Sequence, residues 1–284
     1  MTFIKKNFRY KPSLLKPIVA IAAVLLLVSG VYYFASKKSS DSKAPDAPKS
    51  EINSSGLDQD KKVKTVGDVE EVMAKWIEAN PKAIIMSLQN MQRKAQEDQV
   101  KDAQKNIGGK KDDLFNDKNS PQFAPSGYDV TVVEFFDYAC GYCKKAQATV
   151  AELLKEDKKV RVIFKEFPIL GQPSTEMSQV AIAVNMVSPS SYMKFHEALM
   201  KSHERGKAAA LKVAKASGIN VAKVEEVLSK DKAKIDSIIQ ANLALGGTIG
   251  INGTPGFVIG EELIPGAFEL SAFKEKIAAL RAKK

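Results

Sequence analysis

The sequence contains only two cysteines, two histidines and one tryptophan among its 284 residues. So few cysteines exclude the small scaffolds that several disulfides hold together. The histidines, His196 and His203, are seven residues apart, and a zinc or copper site built on the two cysteines would need two further ligands. We therefore predict no bound metal and no other cofactor. Hydrophobic residues make up 44% of the chain and charged residues 27%, a composition that excludes wholesale disorder.

Positive charge is concentrated at the start of the chain. The formal net charge is +10, from 43 basic and 33 acidic side chains. Residues 1–40 contain no acidic residue and seven basic ones, namely Lys5, Lys6, Arg9, Lys11, Lys16, Lys37 and Lys38. The rest of the chain is nearly balanced in charge. The excess is therefore a property of the terminus, and we expect no nucleic-acid partner.

Residues 17–35 form an uncharged apolar run, PIVAIAAVLLLVSGVYYFA. As a helix the run would span about 28 Å, close to the roughly 30 Å hydrocarbon core of a membrane. Five basic residues precede it and two follow it, which predicts a single-pass anchor within residues 1–36, with the N-terminus in the cytoplasm and an exported body. The alternatives are a cleaved signal peptide with its apolar core at residues 18–28 and a buried helix of a soluble protein.

Two further segments separate this run from the main domain. Residues 37–66 are rich in Ser, Lys, Asp and Pro and indicate a flexible tether. Residues 67–127 combine a helical pattern, interrupted at Asn80-Pro81, with a polar linker. Apolar residues recur in this pattern at a spacing of seven with others between them: Ile77, Ile84, Leu88, Met91 and Ala95. Such a stripe can pack on its own domain; because it is short and stands apart, we predict homo-oligomerisation through residues 68–107.

Residues 128–284 predict an α/β domain. Residues 129–136 and 160–164 are short runs that are apolar on both faces, as in buried strands, and a helical pattern covers 141–156 between them. Helical periodicity then dominates about 173–245, and two short strands and a closing helix follow. The order β-α-β, helical block, β-β-α indicates a small central sheet with an all-helical insertion.

Cys140-Gly141-Tyr142-Cys143 is the only motif that contains cysteine, and it stands between a predicted strand and a predicted helix. Unpaired N–H groups and the macrodipole at a helix N-terminus stabilise an anion, which would lower the pKa of Cys140 below about 8.5. The i, i+3 spacing would put Cys143 one turn further inward, where it can attack a mixed disulfide on Cys140. We predict Cys140 as the nucleophile and Cys143 as the resolving thiol. A structural disulfide, a metal site and inert thiols are the alternatives.

The run GTPG at residues 253–256 precedes a predicted strand. A proline at this point cannot donate to a strand ladder and restricts the residue before it. If the Thr254–Pro255 bond is cis, the backbone of Thr254 can face an extended substrate segment beside the dithiol; an ordinary trans turn is the alternative. We predict that Thr254 and Pro255 bind substrate together with Gly141 and Tyr142.

Glu134 is an acidic residue inside an apolar strand, six residues before Cys140. A buried glutamate is costly unless it is paired or functional. It could accept the proton of Cys143, directly or through water, while that thiol resolves the mixed disulfide. The alternatives are a solvated side chain at an edge of the sheet and an ion pair with Lys165 on the neighbouring strand.

These elements together (VEFFDYACGYCKKA, the helical block and NGTPGFVIG) resemble the DsbA-like branch of the thioredoxin-fold disulfide oxidoreductases, from about Tyr128 to Leu280. The stretch from EANPKAIIMSLQ to LFNDKNSPQF is similar to the N-terminal arm of the subgroup that contains the suppressor-of-copper-sensitivity C proteins. The resemblance implies a thioredoxin fold, oligomerisation through the arm, and disulfide isomerase or reductase activity in some members. It also implies a nucleophile, a resolving thiol, a cis-proline loop and a buried acid at Cys140, Cys143, Thr254-Pro255 and Glu134, respectively.

The dipeptide between the cysteines departs from the strongly oxidising members of the family. Those members have Pro-His there, and the cationic histidine stabilises the thiolate. Gly141-Tyr142 supplies no charge and resembles the dipeptide of dimeric bacterial disulfide isomerases, although Lys144 could restore part of the field if it points inward. We therefore expect a less oxidising dithiol suited to rearranging wrong disulfides, with dithiol oxidation as the alternative.

The expected function is that of a thiol–disulfide oxidoreductase anchored on the periplasmic side of the bacterial inner membrane. Its substrates would be the cysteines of periplasmic or secreted proteins, and a membrane protein would act as its redox partner. Cleavage of the N-terminal segment would instead leave it periplasmic or associated with the outer membrane. The alternative from another class is a membrane-anchored oligomeric chaperone or surface-binding protein whose dithiol is vestigial.

Overall fold

The computed structural model describes residues 64–283. The predicted anchor at residues 17–35 and nearly all of the tether lie outside the described residues. Within residues 64–283 no helix is both long enough and apolar enough to cross a membrane. Contacts within the chain separate two units, one ending at Met86 and the other beginning at Ser87.

Two helices form the predicted arm. Helix α1 (Val66–Ala79) begins with a capping box, in which the Thr65 hydroxyl accepts from the Asp68 N–H at 3.2 Å and the Asp68 carboxylate accepts from the Thr65 N–H at 2.9 Å. The predicted break at Asn80-Pro81 is confirmed. The Asn80 side chain donates to the carbonyl of Trp76 at 2.9 Å at the end of α1, and helix α2 (Pro81–Gly109) begins at the proline.

The remaining elements alternate between a sheet and helices. They are α3 (Lys111–Phe115), β1 (Gln122–Phe123), β2 (Val130–Phe136), α4 (Gly141–Glu156), β3 (Val160–Glu166), α5 (Gln172–Val187), α6 (Tyr192–Lys201), α7 (Lys207–Ala216), α8 (Val221–Lys230), α9 (Lys232–Thr248), β4 (Gly256–Ile259), β5 (Glu262–Pro265) and α10 (Leu270–Arg281). Helices α5 to α9 are the predicted insertion, which begins one residue before and ends three residues after the expected bounds of about 173–245.

The five strands form one mixed sheet in the order β1-β3-β2-β4-β5. The central pair, β2 and β3, is parallel and the other pairs are antiparallel. Because side chains alternate along a strand, Val132 and Phe136 face one apolar cluster, which includes both cysteines, and Val133 and Phe135 face a second cluster. Burial on both faces explains why these strands are continuous apolar runs.

The segment before Tyr128 contributes more to this unit than its sequence predicts. Strand β1 pairs with β3, and the preceding helices bury Ile107 and Leu114 in the second cluster, together with Phe135. Strand β1 has two residues and one apolar side chain, Phe123, so its sequence shows no alternation of apolar and polar residues from which a strand could be predicted. The polar composition of residues 108–127 therefore indicated only a linker.

Candidate active site

The two cysteines lie at the start of α4. Cys140 occupies the position before the first helical residue and is 7% exposed, whereas Cys143 lies in the first turn and is fully buried. Both are free thiols. The end of strand β2 and the start of α4 are separated by only four residues, so the sheet fixes the place at which the helix begins.

The thiol of Cys140 is held in a state that favours its anion. A hydrogen bond from the Cys143 thiol lowers the pKa of Cys140 to about 5, with further contributions from the Thr254 side chain and from the backbone N–H groups of Cys143 and Tyr142, while burial opposes the shift. The sequence predicted this direction from the helix N-terminus. The structure attributes it mainly to hydrogen bonds, which explains how a motif without a charged residue still lowers the pKa.

The thiol of Cys143 has the opposite environment. Burial, together with the neighbouring Cys140, raises the pKa of Cys143 well above its ordinary value. Glu134 adds to this shift as a nearby negative charge. Cys143 therefore stays protonated until a base removes its proton.

The Thr254–Pro255 bond is cis, as the substrate-binding prediction required. The Cys140 thiol donates to the carbonyl of Thr254, with Sγ and O 3.3 Å apart. Strand β4, which follows the proline, pairs with β2 so that Gly256 lies opposite Phe135. This register brings the proline loop to the end of β2 from which the dithiol loop departs.

Glu134 is buried in the centre of the sheet, with 1% of its surface exposed. Burial raises its pKa to about 8. Its Oε1 atom has no hydrogen-bond partner among residues 64–283. The alternative of a solvated side chain at an edge is therefore wrong, because β2 is a central strand.

The alternative ion pair between Glu134 and Lys165 is also wrong. Glu134 lies opposite Phe164 in the β2–β3 register, so Lys165, the next residue, points to the other face of the sheet. There its ammonium donates to the Asp117 carboxylate at 2.6 Å and to the carbonyl of Asp113 at 2.8 Å.

Asp137 fixes the loop before Cys140, and the sequence analysis missed it. Its buried carboxylate accepts from the Ala139 N–H at 2.7 Å and from the Ser174 hydroxyl at 2.7 Å. It also accepts from the N–H groups of Ile169 and Leu170 at 2.9 and 3.0 Å. An acidic residue directly after a buried strand was the available signal.

A second group that the sequence analysis missed joins this loop to the insertion. The buried Glu166 carboxylate accepts from Ser178 at 2.7 Å, from Tyr192 at 3.1 Å and from Tyr138 at 3.3 Å. Burial raises the pKa of Glu166 to about 8 despite these bonds. The Tyr138 hydroxyl also lies 3.1 Å from Nδ1 of His196, whose pKa burial lowers to about 3. His196 is therefore a packed, neutral histidine.

The surface beside the dithiol is formed by the two residues between the cysteines. Gly141 is exposed and Tyr142 is 65% exposed, with its ring 5.6 Å from the Lys145 ammonium. Lys144 donates to the carbonyl of Ser202 at the end of α6. Across residues 64–283 no three His, Cys, Asp or Glu side chains form a group that could hold a metal ion.

The comparison with protein families matches residues 131–278 to the DSBA-like thioredoxin domain. This range covers more than half of the chain and contains both cysteines, the insertion and the cis-proline. The chain belongs to the DSBA-like thioredoxin family. A comparison with curated proteins gives no significant match.

Among solved structures, a thioredoxin-like oxidoreductase from Silicibacter pomeroyi DSS-3 is 35% identical, with a TM-score of 0.56, over 60% of this chain and 97% of that one. The thiol-disulfide exchange protein alpha-DsbA2 from Wolbachia pipientis is 28% identical, with a TM-score of 0.59, over 63% and 95%. The catalytic domain of Proteus mirabilis ScsC is 28% identical, with a TM-score of 0.56, over 62% and 98%.

These matches establish the thioredoxin-like α/β fold and support thiol–disulfide oxidoreductase activity. The match to ScsC is consistent with the suppressor-of-copper-sensitivity C-like subgroup to which the sequence of the arm pointed.

Proposed function

We propose that this protein is an exported thiol–disulfide oxidoreductase in which Cys140 attacks disulfides of exported proteins and Cys143 resolves the intermediate. The observation that carries the proposal is the difference between the two thiols. Hydrogen bonds, first of all from the Cys143 thiol, lower the pKa of Cys140 to about 5, whereas burial, with the neighbouring Cys140, raises the pKa of Cys143. At neutral pH the protein then has one thiolate at Cys140, which is 7% exposed, and one thiol at the fully buried Cys143.

The reaction balances with these groups and the substrate alone. The Cys140 thiolate attacks one sulfur of a substrate disulfide, and the other sulfur leaves as a thiolate that takes a proton from water. Cys143 then passes its proton to Glu134 and attacks Cys140, which releases the first substrate sulfur and leaves a Cys140–Cys143 disulfide. Oxidation of a substrate dithiol is the same sequence in reverse, with Glu134 returning the proton.

Glu134 suits the acid–base role because its pKa of about 8 lies close to neutral pH. It faces the apolar cluster that contains Cys143 and acts on that thiol as a neighbouring charge. Among residues 64–283 no ion pair fixes it in the charged form, since Lys165 lies on the other face of the sheet. It can therefore exist in both protonation states during one turnover.

Substrate would lie across Cys140, Tyr142 and the cis-proline loop. The Sγ atom of Cys140 lies 3.3 Å from the carbonyl oxygen of Thr254, so the backbone at this position is close enough to bond an extended segment whose cysteine has joined Cys140. The exposed faces of Gly141 and Tyr142 would form the opposite side of this site.

We propose isomerisation or reduction as the main activity, because the dipeptide between the cysteines carries no charge. In isomerisation a second substrate thiolate would attack the mixed disulfide before Cys143 does and would free Cys140 for another cycle. One observation favours dithiol oxidation instead: a Cys140 pKa of about 5 stabilises the reduced form. The reduction potential of the pair would decide, since 30 mV corresponds to about 1.4 kcal/mol.

The proposed organisation places residues 1–36 in or across the inner membrane, residues 37–66 as a tether, residues 67–127 as an oligomerisation arm with its linker, and residues 128–284 in the periplasm with a membrane protein as redox partner. Both arm helices expose apolar side chains: Met73 and Ile77 on α1, and Ile85, Leu88 and Met91 on α2. A second copy of the chain is the partner that the spacing of seven between Ile77, Ile84 and Met91 favours.

The arm can be tested without removing any part of the domain. Replacing Leu88 and Met91 together by Asp would introduce two charges among the exposed apolar side chains of α2, whereas Gln89→Asp combined with Gln92→Asp places the same two charges on exposed polar positions as the control. Sedimentation should give oligomers for the control and monomers for the variant of Leu88 and Met91. Equal sedimentation of the two variants would contradict the oligomerisation role.

The activity is tested by alkylation and by turnover. Iodoacetamide should modify Cys140 with a midpoint near pH 5, and Cys143 should resist modification across the same range. Cys140→Ser should abolish insulin reduction and the rescue of scrambled ribonuclease, while Cys143→Ser should trap mixed disulfides. A midpoint near 8.5, as for a free cysteine, or full cellular function of Cys140→Ser would favour the binding-protein alternative.

A further inference from the structure

The loop between helices α6 and α7, residues 202–206, is bound to the dithiol region at two points. Lys144 of α4 donates to the carbonyl of Ser202. Arg205 donates through Nη2 to the carbonyl of Ala139 at 3.5 Å. Ala139 and Lys144 are the residues directly before and after the cysteine motif, so the two contacts bring an ammonium and a guanidinium to the two ends of that motif.

The far end of this loop has a fixed conformation. Gly206 has a φ of 87°, in the left-handed region that favours glycine. The N–H of Lys207, the next residue, donates to the Glu176 carboxylate of α5 at 3.0 Å. A methyl group on Gly206 would lie 3.0 Å from the same carboxylate. Arg205 therefore stands directly before a constrained turn, which limits where its side chain can point.

The two cations have no acidic partner. Among the residues that the structure describes, Lys144 and Arg205 donate to backbone carbonyls and form no ion pair. Glu204, the acidic residue of the loop, pairs instead with Lys212 at 2.7 Å. Glu176 accepts from the N-terminus of α7. The positive charges beside the dithiol are thus left without a carboxylate that compensates them.

The cations are also close together and open to solvent. Arg205 is exposed and Lys144 is half-buried. Burial, and after it the charge of Arg205, lowers the pKa of Lys144, as expected for two neighbouring cations. Lys145 adds a third positive charge, with its ammonium 5.6 Å from the exposed ring of Tyr142. The surface around the site is therefore positive and attracts anions.

The lowered pKa of Cys140 does not depend mainly on these cations. It comes first from a hydrogen bond of the Cys143 thiol, with further contributions from Thr254 and from backbone N–H groups. The positive surface therefore remains available to a ligand. In the proposed reaction that ligand is the substrate segment joined to Cys140. Because neighbouring Cα atoms are about 3.8 Å apart, a side chain one or two residues from the substrate cysteine can reach the guanidinium bound at Ala139.

We propose that Lys144 and Arg205 bind a carboxylate of the substrate, so that the protein prefers substrates with an aspartate or glutamate within two residues of the reacting cysteine. The inference rests on the proposed attack of Cys140 on substrate disulfides. Arg205 uses one of its five N–H donors on Ala139, and the planar guanidinium suits a carboxylate. Opposite charges also raise the rate of encounter between the two partners.

The test uses three peptides of equal length whose single cysteine is joined to thionitrobenzoate. The residues on both sides of that cysteine are aspartate, asparagine or lysine. The Cys140 thiolate of the reduced protein attacks the peptide sulfur, and thionitrobenzoate leaves as a coloured thiolate. Cys143 then attacks Cys140, which releases the peptide as a thiol and leaves the protein disulfide.

The preference is the rate constant for the aspartate peptide divided by that for the asparagine peptide. The charge of thionitrobenzoate is the same in both and cancels. The same ratio measured with mercaptoethanol gives the intrinsic reactivity of the two peptides, by which the protein's ratio is divided. A substitution that only displaced Cys140 would slow both peptides alike and leave this corrected ratio unchanged.

We expect a corrected ratio of about ten for the wild type at low salt, with the lysine peptide slower than the asparagine peptide. Arg205→Gln and Lys144→Gln should each lower the ratio about threefold, which corresponds to about 0.7 kcal/mol. Arg205→Lys retains the charge and should retain most of the preference. Lys215→Gln removes the same charge at an exposed position about two turns further along α7 and should leave the ratio unchanged. Added salt should lower the wild-type ratio toward one.

The outcomes distinguish this inference from the function on which it rests. If the wild type reduces all three peptides at equal corrected rates, the specificity is wrong and the role of Cys140 stands. If a preference exists but persists in Arg205→Gln and Lys144→Gln, or falls as much in Lys215→Gln, the assigned cations are wrong and the inference is overturned. If the wild type releases no more thionitrobenzoate than Cys140→Ser, the proposed function itself fails.

Discussion

Glu134 should make the folded protein less stable as the pH rises, and Glu134→Gln should remove this dependence. The folded-state pKa of about 8 lies above the ordinary value of 4.5, so the folded state binds the proton more tightly than the unfolded state does. Well below pH 4.5 the group is neutral in both states and makes no pH-dependent contribution to stability. As the pH rises from 4.5 to 8 the unfolded state ionises first, and stability is lost.

The magnitude follows from the size of the shift. At pH 7 the pH is about 2.5 units above the pKa of the unfolded carboxyl, which is therefore ionised, whereas the folded carboxyl is still mostly neutral. Each pH unit of this difference corresponds to about 1.4 kcal/mol. The group therefore costs about 3 kcal/mol at pH 7. Glutamine has nearly the same shape and cannot ionise, so Glu134→Gln should be more stable than the wild type by about this amount at pH 7 and equally stable near pH 4.

The assay is urea unfolding of both proteins between pH 4 and 8, with excess reductant to keep Cys140 and Cys143 as thiols. The difference between the two curves isolates Glu134, because Glu166 and His196 titrate in both proteins. Glu152→Gln, an exposed change on α4, serves as the control. Parallel curves for wild type and Glu134→Gln would refute the reasoning, because they would show that Glu134 has no raised pKa.

Two further predictions use single residues. In Gly246→Ala the new methyl group would overlap the buried ring of Phe167, whereas a methyl group at Gly247 would meet open space. Calorimetry should therefore show that Gly246→Ala lowers the free energy of unfolding by about 1–3 kcal/mol and that Gly247→Ala raises it by up to about 1 kcal/mol. Equal effects of the two substitutions would contradict this packing. Tyr142→His should raise the reduction potential of the Cys140–Cys143 pair by about 20–30 mV, measured by equilibration against glutathione, because a cationic histidine would add about 1 kcal/mol of attraction to the Cys140 thiolate. An unchanged potential would show that residue 142 does not act on the sulfur.

The sequence was sufficient for those parts of the site that depend on local patterns. The strand before Cys140 and the helix after it agree with their observed bounds to within about a residue, and a strand does follow Pro255 as predicted. These features could be predicted because the spacing of apolar residues and the positions of Gly and Pro are local properties of the sequence. The difference in depth between Cys140 and Cys143 also followed from the helical spacing.

The partner of Glu134 could not be predicted in the same way. Lys165 was the candidate partner, because it lies on the neighbouring predicted strand. Only the register between β2 and β3 shows that the side chains of Glu134 and Lys165 lie on opposite faces of the sheet. Register depends on the pairing of distant segments, as does the contact of Asp137 with Ser174. No local window contains either fact.

The alternation of side chains between the two faces of β2 also decides whether Glu134 can act as a base for Cys143. Glu134 and Phe136 are on the face of β2 that meets the cluster containing Cys143, and Phe135 between them is on the other face. A shift of one residue along β2 would turn the carboxyl toward Lys165 and Asp117, where an ion pair would hold it in the charged form. The cis-proline loop depends on the same strand, because Gly256 lies opposite Phe135. One strand register therefore determines both the depth of the base and the distance from Thr254 to Cys140, so a variant that disturbs β2 should impair the two steps of the reaction together.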